Sequence, residues 1–202
     1  MSRYFYFFLC FLTFLPIFSQ ISNTHYIPPV TSNTPAIDGQ YIYLSTPSEA
    51  DVDYNIQIIG GATISGIFNN TSSFRYDIGN GYDSQLIVNS NLSGSVINNR
   101  GYIITSSYPI YVSLRYNAGF HGAALTSKGR PGLGTHFRTA MMPMGNKTTA
   151  VQADDFLSYV SIMATEDNTT LKATLPNANE DSNILNIGGY NGTPIEVDLM
   201  KG

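Results

Sequence analysis

From Gly39 onward the apolar residues recur at every second position in short segments, each bounded by Gly, Asn, Ser or Pro. A strand sends successive side chains to opposite faces, so this period marks half-buried strands. Val52, Tyr54, Ile56 and Ile58 share one face, with Asp53, Asn55 and Gln57 opposite. Tyr41 and Tyr43 alternate with Ile42 and Leu44, and Phe74, Tyr76 and Ile78 continue the pattern. Ile110, Val112 and Leu114 oppose Tyr111, Ser113 and Arg115. Turn signals separate the segments at Gly60-Gly61, Asn69-Asn70-Thr71, Gly79-Asn80-Gly81 and Asn98-Asn99-Arg100-Gly101. No window carries the i, i+3, i+4, i+7 stripe of an amphipathic helix. Strand-like segments spaced about ten residues apart predict an all-β, antiparallel β-sandwich-like domain.

Later segments extend the expectation. Residues 159–165 alternate Val160, Ile162 and Ala164 against Tyr159, Ser161 and Met163. Glu166-Asp167-Asn168-Thr169 reads as a turn, and residues 170–175 as the returning strand of a hairpin. Pro176 ends that strand, having no N–H to give a neighbour. Residues 183–188 and 195–200 read as a second hairpin with Ile195, Val197 and Leu199 on its buried side. Residues 119–143, rich in Gly and Met, are less regular and read as holding a long loop around residues 129–134, and residues 46–49 read as a plain loop in preference to one capped helical turn. The chain stops at Lys201-Gly202, directly after a strand, so the β-domain is expected to be incomplete at its C-terminal end.

The N-terminus has a different character. Met1-Ser2-Arg3 precedes an apolar run over residues 4–18, broken by Pro16 and followed by Ser19. As a helix that run rises about 22 Å, short of the roughly 30 Å hydrocarbon core. This is the layout of a helical secretory signal peptide over residues 1–19, in preference to an uncleaved anchor or a core helix. Cys10, the one cysteine, leaves with it, so neither a disulfide framework nor a Cys-built metal site is available. Residues 20–39, with three prolines and no periodicity, read as an extended leader, and residues 40–202 as the domain. Ten basic residues against fourteen acidic ones give a net charge of −4, too little positive charge for nucleic acid. After signal cleavage no membrane segment is expected.

No catalytic constellation emerges. Of the three histidines, His25 lies in the leader, while His121 and His136 flank the glycine-rich loop without a third ligand. Gly129-x-x-Gly132-x-Gly134 lacks the order and the strand–helix context of a dinucleotide fingerprint. The acidic pairs Asp51/Asp53, Asp154-Asp155 and Glu166-Asp167 lack calcium-loop spacing. Catalytic, cofactor and metal sites are therefore all expected to be absent. Asn-x-Ser/Thr triplets at Asn69, Asn70, Asn91, Asn146, Asn168 and Asn191 mark surface turns. Tyr41, Tyr43, Tyr102 and Tyr111 stand out as tyrosines of exposed strand faces, where aromatic rings can contact a ligand such as a sugar.

Three stretches carry a family resemblance. They are residues 101–112 (GYIITSSYPIYV), Leu133-Gly134-Thr135-His136-Phe137, and residues 158–170 (SYVSIMATEDNTT). Together they resemble the N-terminal domain family of IgGFc-binding protein, which also occurs in large secreted, gliding-motility-associated proteins of the Bacteroidetes. Residues 195–202 resemble the strand and Lys-Gly that precede a further strand of that family. The resemblance implies a β-rich, non-enzymatic extracellular module that works in binding or adhesion, with further domains downstream. Expected partners are an extracellular protein or glycan. The alternatives are a carbohydrate-binding module, resting on the tyrosines, and an accessory domain of a larger secreted enzyme.

Overall fold

The structure, a computed structural model, describes residues 21–32, 37–81, 83–89, 92, 95–118, 121–139, 159–173 and 195–199. Its strands in chain order are β1 (Ser22–Ile27), β2 (Val30–Ser32), β3 (Ile37–Ser45), β4 (Val52–Ile58), β5 (Thr63–Phe68) and β6 (Phe74–Gly79). They continue with β7 (Ile87–Asn89), β8 (Tyr102–Ala118), β9 (His121–Ser127), β10 (Thr169–Ala173) and β11 (Ile195–Leu199).

β8 is the spine. Its first part pairs antiparallel with β4 on one edge, from Ser106 opposite Tyr54 to Tyr102 opposite Ile58, and with β1 on the other. Its last part, residues 111–118, pairs antiparallel with β3 on one edge and β9 on the other. Residues 107–109 have no ladder partner among the described residues. Pro109 has no N–H to offer there. Local bonds take over: Ser106 Oγ donates to the Tyr108 carbonyl (2.8 Å) and Asp53 N–H donates to Ser107 Oγ (3.0 Å). β8 thus changes all its neighbours in mid-course, and the seven-stranded sheet curls about it into a half-barrel, sandwich-like domain. One wing runs β1-β8-β4-β5 and the other β9-β8-β3-β6.

One hydrophobic cluster takes side chains from both wings. Even-numbered positions of β8 turn inward on both sides of the break: Tyr102 and Ile104, then Ile110, Val112 and Leu114. Ile42 and Leu44 of β3 join them, as do Val52, Tyr54 and Ile56 of β4. Burying each such aliphatic side chain contributes roughly 1.5–3 kcal/mol. The Tyr54 ring lies 4.5 Å from Phe74 and 5.8 Å from Phe68, centroid to centroid. The turn glycines behave as the sequence suggests: Gly60 has φ +75° and Gly101 φ +98°. At Gly101 a Cβ would stand 2.5 Å from the Ile27 carbonyl oxygen, so the residue is fixed by contact as well as by conformation.

The antiparallel, two-faced strands over residues 40–46, 52–58, 74–79 and 110–114 are found where the alternation places them. Several expectations are corrected. The leader is not outside the domain: Ser22–Ile27 is an edge strand of the curled sheet, and Ile37–Gly39 opens β3. Its polar residues hid it, because Ser22 and His25 are buried and satisfied by partners far along the chain. β2 and β7 pair in parallel, with Val30 opposite Ile87, an exception to the antiparallel pattern. Residues 121–127, in the less regular stretch where no strand is expected, form β9; the expected loop around residues 129–134 follows it and contains a 3-10 turn at Arg130–Gly132. Residues 159–164 form no strand, and Ile162, expected to be buried, is 47% exposed. β10 pairs instead with β11, Leu171 opposite Val197. The apolar run of residues 4–18, residues 183–188 and the end at Gly202 lie outside the described residues.

Candidate functional site

The outer face of the β9-β8-β3-β6 wing gathers the side chains best suited to contact a ligand. β3 turns Ile42 and Leu44 into the core, so Tyr41 and Tyr43 stand on the opposite, half-buried face. Their ring centroids are 6.1 Å apart with the planes tilted by 57°. Tyr111 lies opposite Ser45 on β8, on the same face and diagonal to Tyr43, and is 41% exposed. The structure therefore brings three of the four singled-out tyrosines together.

The fourth is elsewhere. Tyr102 is 1% exposed and packs edge-on against Tyr76 at 6.0 Å inside the core. Burial, together with the neighbouring Tyr76, holds its hydroxyl well above the usual tyrosine range. The run Tyr102-Ile103-Ile104-Thr105 offers apolar residues to both faces, and a one-residue shift in register exchanges them. The expected exposed ring is thus corrected to a core ring.

Two arginines complete the outer face. Arg75 of β6 lies opposite Tyr43 in register, yet its guanidinium sits over the Tyr41 ring at 4.9 Å. Arg115 of β8 lies opposite Tyr41 but sits over the Tyr43 ring at 5.3 Å. The two cations cross the tyrosine pair diagonally, as a twisted sheet allows. A guanidinium stacked on a ring keeps its in-plane N–H donors for another partner. Among the described residues neither arginine makes an ion pair; Arg100 does, with Asp83 at 2.6 Å. Asp77, which shares the face, accepts a hydrogen bond from Gly79 N–H (3.0 Å). Sequence alternation already sets Arg115 on the same strand face as Tyr111; Arg75 enters only through cross-strand register, which one sequence does not display.

The other candidates are structural. His25 is fully buried in β1. Its Nε2 faces two carbonyl oxygens, Ser22 at 3.0 Å and Ile110 at 3.1 Å, which fixes the proton on that nitrogen. Nδ1 then accepts from Ser127 Oγ at 3.1 Å, and Ser127 Oγ accepts from Gly129 N–H at 3.2 Å. One imidazole therefore ties β1 to the break in β8 and to the end of β9. Burial lowers its pKa below 6.5, outweighing the two carbonyls that raise it. Gly129 has φ +62°, and a Cβ there would run into the Ser22 side chain, so the glycine-rich loop is shaped by packing.

His136 is exposed, with Nδ1 beside Thr135 Oγ1. Asp51 accepts from Asn69 Nδ2 (2.9 Å), whose own Oδ1 accepts from the Thr71 and Ser72 backbone N–H groups, an Asx turn. Asn168 has φ +59°, the left-handed turn conformation expected of it. No group of three or more His, Cys, Asp or Glu side chains able to hold a metal occurs among the described residues. Asp154-Asp155 lies outside them. Compared with family models, curated proteins and solved structures, the chain matches none.

Proposed function

We propose that the chain is a secreted or cell-surface, non-enzymatic binding module of a larger extracellular protein, contacting its partner through the outer face of the β9-β8-β3-β6 wing. The observation that carries this reading is the gathering of Tyr41, Tyr43 and Tyr111 on one accessible sheet face, flanked by Arg75 and Arg115. Tyr and Arg are the side chains that interfaces favour, since each offers a broad apolar surface together with a polar end. The apolar run of residues 4–18 supports an extracellular setting. The resemblance to the IgGFc-binding N-terminal family supports binding or adhesion in preference to catalysis.

The test is direct. The purified chain is offered to arrays of glycans and of extracellular proteins, alongside the triple variant Tyr41→Ala, Tyr43→Ala, Tyr111→Ala. Loss of the recovered interactions in the triple variant, with its melting transition retained, supports the reading. Equal binding by both proteins moves the site off this face.

A further inference from the structure

Resting on that reading, we infer that the Tyr41–Tyr43–Arg75–Arg115 strip takes an acidic polysaccharide, a chain of sugars bearing carboxylate or sulfate groups. The strip joins two recognition elements in one repeat. Each tyrosine offers an aromatic surface to the apolar face of a sugar ring. Each arginine, 4.9 or 5.3 Å from a ring centroid, presents a planar fork that matches a carboxylate or sulfate through paired hydrogen bonds.

Charge selects the ligand's sign. The chain as a whole is acidic, with fourteen Asp and Glu against ten Lys and Arg. Even so, these two guanidiniums stand on one sheet face without an ion pair among the described residues. The acid nearest in register, Asp77, is engaged with the backbone of its own turn. Stacking on the rings holds each cation in place and leaves its charge for an incoming anion.

Shape selects the ligand's class. The strip lies on the face of a sheet, and its rings belong to residues two apart on one strand. Two grooves among the described residues lie elsewhere, one beside Tyr26, Thr105 and Arg130 and another beside Leu125 and Leu133. A strip laid along an open sheet face suits a flat, extended polymer of repeating rings and charges. An acidic peptide would instead add along a free strand edge, such as the outer edge of β6, and leave the ring-bearing face uncovered.

Affinity electrophoresis of the full chain tests this with four polymers: polygalacturonate, dextran sulfate, unmodified dextran and poly-L-glutamate. The first two separate a carboxylate ligand from a sulfate ligand. The expected result is retardation by one or both, none by unmodified dextran, and weakening at high salt as screening shortens the charge interaction. The double variant Arg75→Gln, Arg115→Gln should bind at least about tenfold more weakly, the size of one lost charge-assisted hydrogen bond. Arg75→Lys, Arg115→Lys should fall between, since it keeps the charge and loses the fork. Arg130→Gln, an exposed arginine of the groove beside Tyr26 and Thr105, should bind as wild type does.

Unchanged binding by the Gln double variant overturns the inference, as does equal retardation by poly-L-glutamate. Binding to unmodified dextran that needs the tyrosines and ignores the arginines also overturns it, while leaving the binding-module reading intact. Failure to bind any of the four polymers, with none of the arrayed glycans or proteins recovered either, removes both.

Discussion

Two segments of this chain have nearly the same alternating pattern and different fates. Residues 52–58 and residues 159–165 both place apolar side chains at every second position. The first forms β4, lies between β5 and β8, and buries Val52, Tyr54 and Ile56. The second acquires no ladder, leaving Val160 and Ile162 nearly half exposed, and only Ala164 is buried. Alternation makes a face available for burial; a flanking strand on each edge turns that availability into stability. β4 has both flanks, whereas residues 159–165 are held by side chains, Ser161 Oγ donating to the Pro29 carbonyl and Tyr159 bonding to Tyr116 and to the Thr31 backbone.

Substitution sharpens the contrast. The largest effect should come from Ile56→Ala, which empties a fully buried position and should cost about 2–5 kcal/mol in urea unfolding. A cost near that of a surface change would mean that β4 is not the supported strand described above.

His25→Gln comes next. It removes the ring that bridges β1, β8 and β9, and should cost about 1–3 kcal/mol. It also carries a pH signature. The folded pKa is depressed, so the unfolded chain binds the extra proton. The contribution of His25 is therefore complete above pH 6.5 and is lost as pH falls from there toward the folded pKa. Unfolding midpoints measured from pH 8 to pH 5 should fall more steeply for wild type than for His25→Gln. Parallel slopes would place the histidine in water.

Asn168→Ala should cost about 1 kcal/mol, because alanine lacks the local hydrogen bonding that eases asparagine into the left-handed region. Smallest of all, Ile162→Ala should cost less than about 0.5 kcal/mol. A value like that of Ile56→Ala would erase the difference between the two segments.

The legible parts of the fold are those that local chemistry determines. The faces of β3, β4 and the second half of β8, and the turns at Gly60 and Asn99, follow from period and from backbone tolerance within a few residues. The illegible parts depend on distant partners. Ser22 and His25 look like loop residues until the Ile110 carbonyl, Ser127 and the Arg130 backbone N–H are brought to them. The pairing of β10 with β11 rather than with residues 159–165 is a long-range choice of the same kind. The candidate site divides likewise. Tyr41, Tyr43 and Tyr111 were visible as one surface type, Tyr102 was lost to an ambiguous register, and Arg75 was invisible without the neighbouring strand.

The position of β8 in the chain has a kinetic consequence. Its partners β1, β3, β4 and β9 lie on both sides of it in sequence, and three of them are synthesised first. Until about residue 118 is available those three strands lack their common template, and their pairing edges stay open. Refolding should then be slow and all-or-none, with early native order confined to the neighbouring β4–β5 hairpin. A polypeptide that closes only when its eighth strand arrives remains threadable for most of its synthesis.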